Sequence, residues 1–371
     1  MPRYKFGDLV YNITEKRSPV AGDEDFYIGL EHLDSGSLKV SRWGSKVALK
    51  GDKLIMRKGD ILFGRRNTYL RRVAISPHDG LFSAHGMIFR AKTERISSDY
   101  LPFFLASDYF MSEAIRISVG SLSPTVNWKE LKELDFCIPN IEEQNEIVKP
   151  LIEANNLKEK YEELLVQTDE LVKSQFIEMF GDPITNNYNW EVAPLKEVAP
   201  ETVANVPKQE EYWWLNLDMI ESYSGCLIER VVTKSEDIGN STAAFDDSMV
   251  LYSKLRPYLN KVFVPKEHGF ATTELVRLTP DPRRLNKYFL FNLLRGDEFV
   301  VYANSISSGA QMPRMPMKEL REFSCILPPM ELQNEFVAFA EQIDKSKFEL
   351  KKSIENVSNL IKILMQQDFS N

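Results

Sequence analysis

The sequence predicts an α+β protein in which a mixed α+β domain followed by one long helix is used twice. Three observations carry this. The chain repeats itself at a constant offset of 189 residues, each copy ends in a long stretch with apolar residues at helical spacing, and short β-rich runs precede each stretch. The repeat is clearest where Ile61-Leu62-Phe63-Gly64-Arg65-Arg66-Asn67-Thr68-Tyr69-Leu70-Arg71-Arg72-Val73 aligns with residues 250–262. At the same offset Gly120 meets Gly309, Lys129-Glu130-Leu131 meets Lys318-Glu319-Leu320, Pro139 meets Pro328, and Gln144-Asn145-Glu146 meets Gln333-Asn334-Glu335. Upstream the match weakens, with Tyr27-Ile28-Gly29-Leu30 resembling Trp214-Leu215-Asn216-Leu217. A period this long is a whole domain plus a connecting element, not a solenoid.

In chain order, the runs Lys53–Met56, Ile61–Phe63, Val73–Ile75 and 87–89 are rich in Val, Ile, Phe and Met between Gly, Asp, Ser and Pro, and predict strands. One helix is expected over 98–115. A long helix then starts after Pro139, with Glu142, Glu143 and Glu146 placed to favour its dipole. Its apolar stripe runs through Ile147, Leu151, Ala154, Leu157, Tyr161, Leu164, Leu165, Leu171, Val172, Phe176 and Phe180. Spanning 142–180, it would be roughly 58 Å long at ~1.5 Å per residue. Pro150 should kink it, where the second copy has Phe339. Gly181-Asp182-Pro183 stops it, and 181–190 is the one obvious linker. The second copy repeats the plan with strands at 249–252, 262–264 and Leu275–Leu278, a helix at 285–303, and a final long helix through Phe336, Ala340, Ile343, Leu350, Ile354, Val357, Ile361 and Leu364. The implied partition is 1–141, 142–180, 181–330 and 331–371. Helices with such seams must pack on something, and the nearest candidate is each other.

The 371 residues are 43% apolar and 27% charged, as in soluble globular proteins. Cys137, Cys226 and Cys325 are widely spaced, which fits a reducing compartment. No run approaches ~18 apolar residues, and the start is too polar for a signal peptide, so a cytoplasmic location is expected. The net charge of −8 argues at first against nucleic acid, but it lies in the helices. Residues 142–180 carry 10 acids and 4 bases, and 331–369 carry 7 and 5. The first globular region, 1–141, has 21 bases and 17 acids, whereas 181–330 has 16 and 20.

Within the first region, Arg65, Arg66, Arg71 and Arg72 cluster without an acid and interleave with Asn67 and Tyr69. Arginine can fork onto guanine or phosphate, Asn can address adenine, and Tyr can stack. The second copy keeps Lys254, Arg256, Tyr258, Asn260 and Lys261. A lone basic hairpin is ordinary solvated surface; its recurrence favours nucleic acid. A second polar loop also recurs, with Ser121, Ser123, Thr125 and Asn127 in one copy and Ser308, Gln311 and Arg314 in the other. Such a loop can approach phosphate or a base edge, although alone it is an ordinary turn. Phosphate-binding, dinucleotide and amino-methyltransferase motifs are absent, the four histidines lack metal-ligand spacing, and no catalytic constellation appears.

Two tandem α+β domains alternating with two long helices, each introduced by Pro-x-x-x-x-Gln (Pro139…Gln144, Pro328…Gln333), resemble the specificity subunit of a type I restriction-modification system. The run Ser174-Gln175-Phe176-Ile177-Glu178-Met179-Phe180-Gly181-Asp182 and Gly59-Asp60-Ile61-Leu62-Phe63 add to the resemblance. Pro150 and the ending Met365-Gln366-Gln367-Asp368-Phe369 depart from it. The resemblance implies two target recognition domains, each reading half of a bipartite double-stranded DNA sequence, and helices packed as an antiparallel coiled coil that sets the spacer. It also implies docking of two adenine methyltransferase subunits and of motor-nuclease restriction subunits. S-adenosylmethionine, ATP and Mg2+ would sit on those partners, leaving this chain non-catalytic. A different class, a coiled-coil scaffold with duplicated protein- or carbohydrate-binding domains, would show no sequence-dependent DNA binding.

Overall fold

A computed structural model describes residues 2–239, 241–309 and 311–369. The chain forms two compact units, residues 1–161 with 352–371, and residues 162–351. Each unit therefore holds one globular body and a stretch of both long helices.

In the first unit, alternating apolar residues build a four-stranded antiparallel sheet in the order Val10–Ile13, Met87–Ala91, Ile61–Phe63, Val73–Ile75. A second sheet, Lys16–Arg17, Lys53–Met56, Gly80–Phe82, Tyr27–Ile28, ends in a parallel pair. Arg3–Lys5 pairs with Asp135–Cys137. The helix expected over 98–115 is two helices, Tyr100–Ala106 and Asp108–Arg116. The break is chemical: Ser107 is extended and its Oγ accepts the Phe110 N–H, so it caps a new helix instead of continuing the old one. Phe6, Phe63, Phe89, Phe104, Phe110 and Phe136 form the core, joined by Val148 and Leu151 of the first long helix and Ile361, Leu364 and Met365 of the second.

The second unit repeats this. Val250–Ser253 lies between Val262–Phe263 and Leu275–Leu278, and a four-stranded sheet runs Val231–Lys234, Glu211–Leu215, Gly269–Thr272, Thr242–Phe245. The helix expected over 285–303 is again two, Lys287–Arg295 and Asp297–Ile306, divided at Gly296. Phe176, Phe180, Phe289 and Phe336 interlock with ring centroids 4.9–5.6 Å apart.

The long helices span Ile141–Phe180 (40 residues) and Met330–Asp368 (39 residues). The first remains one helix across Pro150, whose missing N–H costs one ladder bond. Within the second unit they run antiparallel: Phe176 meets Phe336, and further back along the first helix Asp169 pairs with Lys347 at 2.6 Å. Residues 181–190 are folded, not loose. Gly181 takes φ +72°, where a Cβ would lie 2.1 Å from Asn187 Oδ1, and the Trp190 indole N–H donates to the Phe180 carbonyl at 2.9 Å.

The repeated glutamines staple helix to body. Gln144 is fully buried, donates to the carbonyls of Arg95 and Pro139 (both 2.9 Å), and accepts the Ser97 N–H at 2.7 Å. Gln333 makes the same three bonds, to Arg284, Pro328 and Asn286, at 3.0, 2.8 and 2.9 Å.

Candidate nucleic-acid interface

The structure brings the basic turn and the polar loop together in each unit. In the first, Asn67 N–H donates to the Pro124 carbonyl at 2.7 Å and Val126 N–H to the Arg65 carbonyl at 2.9 Å. In the second, Arg256 N–H donates to Pro313 at 2.7 Å and Met315 N–H to Lys254 at 2.9 Å. Each turn contains one short 3-10 helix, Thr68–Leu70 or Pro257–Leu259, between two left-handed residues. These are Asn67 and Arg71 (both φ +53°) and Arg256 and Asn260 (φ +51° and +47°). Left-handed backbone suits Asn but costs an arginine roughly 1 kcal/mol or more, so both copies hold strain that the surrounding bonds must impose. The polar loops match too, with Gly120 at φ +112° and Gly309 at φ +110°, an angle at which a side chain is strained. Ala310, within the second polar loop, lies outside the described residues.

The candidate side chains divide into free and committed groups. In the first unit, Arg66 is exposed and reaches Ser123 Oγ at 3.2 Å, Tyr69 is 56% exposed, and Ser121 is exposed beside Leu122. Arg65 and Arg72 are half-buried, as are Thr125, whose hydroxyl donates to the Ser123 carbonyl at 3.0 Å, and Asn127. Arg71 is held by Asp108 at 2.5 Å and contacts the Ala106 carbonyl at 3.4 Å. In the second unit, Tyr258 is 42% exposed, and Ser308 and Gln311 are exposed. Asn260 is 5% exposed and donates to the Arg295 carbonyl at 2.8 Å, so its side chain holds the turn. Arg71 and Asn260 thus tie equivalent turns to equivalent helix ends.

Lys254 donates to the Thr273 carbonyl at 3.0 Å and Arg314 pairs with Glu274 at 3.1 Å. Lys261 Nζ donates to the Leu217 carbonyl at 2.6 Å, and burial lowers its pKa. Asn67 Oδ1 and Arg256 Nε, at equivalent positions, are buried without a hydrogen-bond partner among the described residues, a spare capacity native structures rarely leave. No group of three or more His, Cys, Asp or Glu residues among the described residues could hold a metal, and no helix among them is long and apolar enough to cross a membrane.

A duplicated α+β body carrying a paired turn and loop, stapled to antiparallel helices, defines a class of duplicated-domain proteins. Residues 5–165 and 187–358 both match the type I restriction modification DNA specificity domain, and the chain belongs to that family. It is 25% identical over 154 residues to the type I restriction enzyme EcoDI specificity subunit of Escherichia coli, covering 40% of this chain and 34% of that one. It is 27% identical over 283 residues to the MjaIX specificity subunit of Methanocaldococcus jannaschii, covering 67% and 62%. To the MjaVIII specificity subunit of the same organism it is 20% identical over 390 residues, covering 96% and 91%. The chain thus spans less than two thirds of the first two relatives. The fold is similar to that of a chain in a structure addressing complex assembly and conformational transition of the type I R-M system (TM-score 0.57, 17% identity, covering 100% and 97%). It is also similar to the S subunit of a type I restriction-modification system from M. genitalium (TM-score 0.54, 14% identity, covering 100% and 96%).

Proposed function

We propose that this chain is the sequence-specific DNA-recognition subunit of a type I restriction-modification complex and performs no catalysis itself. Each globular body reads one half of a bipartite duplex target. The long helices set the gap between the halves and dock two adenine methyltransferase subunits, with motor-nuclease subunits completing the restriction form. S-adenosylmethionine, ATP and Mg2+ belong to those partners. The observation that carries the reading is the duplicated turn, with left-handed backbone at the same two positions and the same main-chain bonds to a polar loop in both units.

The chemistry follows from which side chains are not tied to an acid or a backbone carbonyl among the described residues. Arg65, Arg66, Tyr69, Ser121 and Ser123 in one unit, and Arg256, Tyr258, Ser308 and Gln311 in the other, offer donors to phosphate and sugar and fix register on the duplex. Two acidic helices make poor DNA ligands and suit protein partners; basic partner surfaces then supply much of the salt-dependent affinity. The test is a body exchange. Replacing the first body with that of another family member, and sequencing methylated adenines in cells carrying the whole complex, is expected to change one half of the motif and spare the other. A motif unchanged in both halves would refute the role given to these bodies.

A further inference from the structure

A reader of two different half-sites cannot discriminate them with parts that are the same in both units. The turns, polar loops and glutamine staples share backbone geometry and main-chain bonding, so the stretch where the repeat itself fails is the largest difference in backbone plan that discrimination can use. It fails between Leu30–His32 and Lys53–Met56 in the first unit, and between Leu217–Met219 and Thr242–Phe245 in the second.

Residues 33–52 carry 4 bases and 2 acids; their counterpart, 220–241, carries 2 bases and 4 acids. The first connection contains no helix or strand, and a long irregular stretch inside a compact body is usually functional. It is nonetheless pinned. Leu33 and Val40 are buried in a cluster shared by both sheets of the first unit, and Arg42 forks onto Asp34 (both bonds 2.7 Å), holding that carboxyl below its usual pKa. Gly44 N–H donates to the Tyr27 carbonyl at 2.7 Å, and Ser45 N–H to Glu24 at 2.9 Å.

These anchors present a tip. Trp43 is 46% exposed and stands edge-on to His78 at 4.9 Å, with exposed Phe26 on the same imidazole at 5.6 Å. Lys46 and Lys50 are exposed, and among the described residues no hydrogen bond or ion pair engages either ammonium. An aromatic face beside uncommitted cations, on a rigid base, is what contact with a nucleic acid's bases and phosphates requires. Of the nearby acids, Asp23 is neutralised by Arg17 at 2.5 Å, whereas Glu24, which accepts the Gly22 N–H at 3.1 Å, and Asp52, which accepts the Ser18 hydroxyl at 2.6 Å, keep their charge.

We infer that residues 33–52 are the sequence-discriminating element of the first unit, with Lys46 and Lys50 on DNA phosphates and Trp43 on the bases or sugars they frame. The inference rests on the DNA-reading function proposed above and names the residues that would carry it.

The test uses the chain assembled with its methyltransferase partners. In Lys46→Gln/Lys50→Gln, affinity for the methylated target is expected to fall about tenfold near 0.15 M salt, and the slope of log K against log salt to shrink by about 2. In Trp43→Ala, base preference in one half of the motif is expected to relax while the other half is retained. Both changes lie on exposed side chains, and an unchanged melting temperature confirms folding. A wild-type complex with no bipartite motif would sink the DNA-reading function and this inference together. A wild-type complex with such a motif, and folded variants that keep both its salt slope and its two halves, would overturn the inference alone.

Discussion

The two units also differ where each body meets the helix pair. In the second, the Arg295 guanidinium donates to the Tyr223 carbonyl, lies 4.8 Å from the Phe291 ring centroid, and lines a cavity together with Asp169, Asp344 and Lys347. Burial lowers its pKa, and a cavity of about 30 Å³ remains. At the same offset the first unit has Ala106, with Ser358 and Asn155 in place of the two aspartates, and the cleft is about 1060 Å³. One backbone plan is closed by an internal arginine in one unit and left open in the other. Duplication preserves the frame, the staple and the turn, while the side chains around them diverge.

The largest expected effect probes the frame. Phe176→Ala should cost about 4 kcal/mol in chemical denaturation, since it empties the aromatic cluster of the second unit. Met365→Ala, at the equivalent place in the more open first unit, should cost only about 2 kcal/mol. Equal losses would mean the two junctions are packed alike. Next come the staples: Gln144→Ala and Gln333→Ala should each cost about 3 kcal/mol, by orphaning two carbonyls and an N–H, and the two values should agree within about 1 kcal/mol. A large disparity would show that matched geometry hides unmatched energetics.

Arg295→Ala should be milder, about 1–2 kcal/mol, because Lys347 stays to neutralise Asp169. Its signature is an enlarged cleft in the second unit, visible in a crystal structure of the variant. The smallest effect is electrostatic. The Arg17 hydrogen bonds hold the Asp23 carboxyl at about 2, so its contribution is present above the ordinary carboxylate range and is lost as pH falls towards 2. Arg17→Ala should return the Asp23 titration, followed by NMR, towards 3.8, with little change in melting temperature at neutral pH because the pair is solvent-screened.

What was legible in the sequence was what repeats. The long helices, the strands flanking Gly64 and the equivalence of Gln144 and Gln333 follow from periodicity and offset. The breaks at Ser107 and Gly296 were not, because the apolar spacing continues through them and only the cap geometry shows the chain turning. The commitment of Asn260 and Lys261 to backbone carbonyls was hidden for a related reason: a polar residue in a basic turn looks the same whether it faces solvent or a helix end. Residues 33–52 were not legible because their counterpart, 220–241, shares no motif with them at the 189-residue offset. A charge count restricted to the gap between matched elements would have found them.

The most direct test of the bipartite reading lengthens both long helices by seven residues at matched levels, about 10 Å of helix that preserves the packed faces. Sequencing of methylated adenines is expected to show both half-sites unchanged and the gap between them longer by about three base pairs, at ~3.4 Å each. An active complex whose gap stays the same would contradict the account.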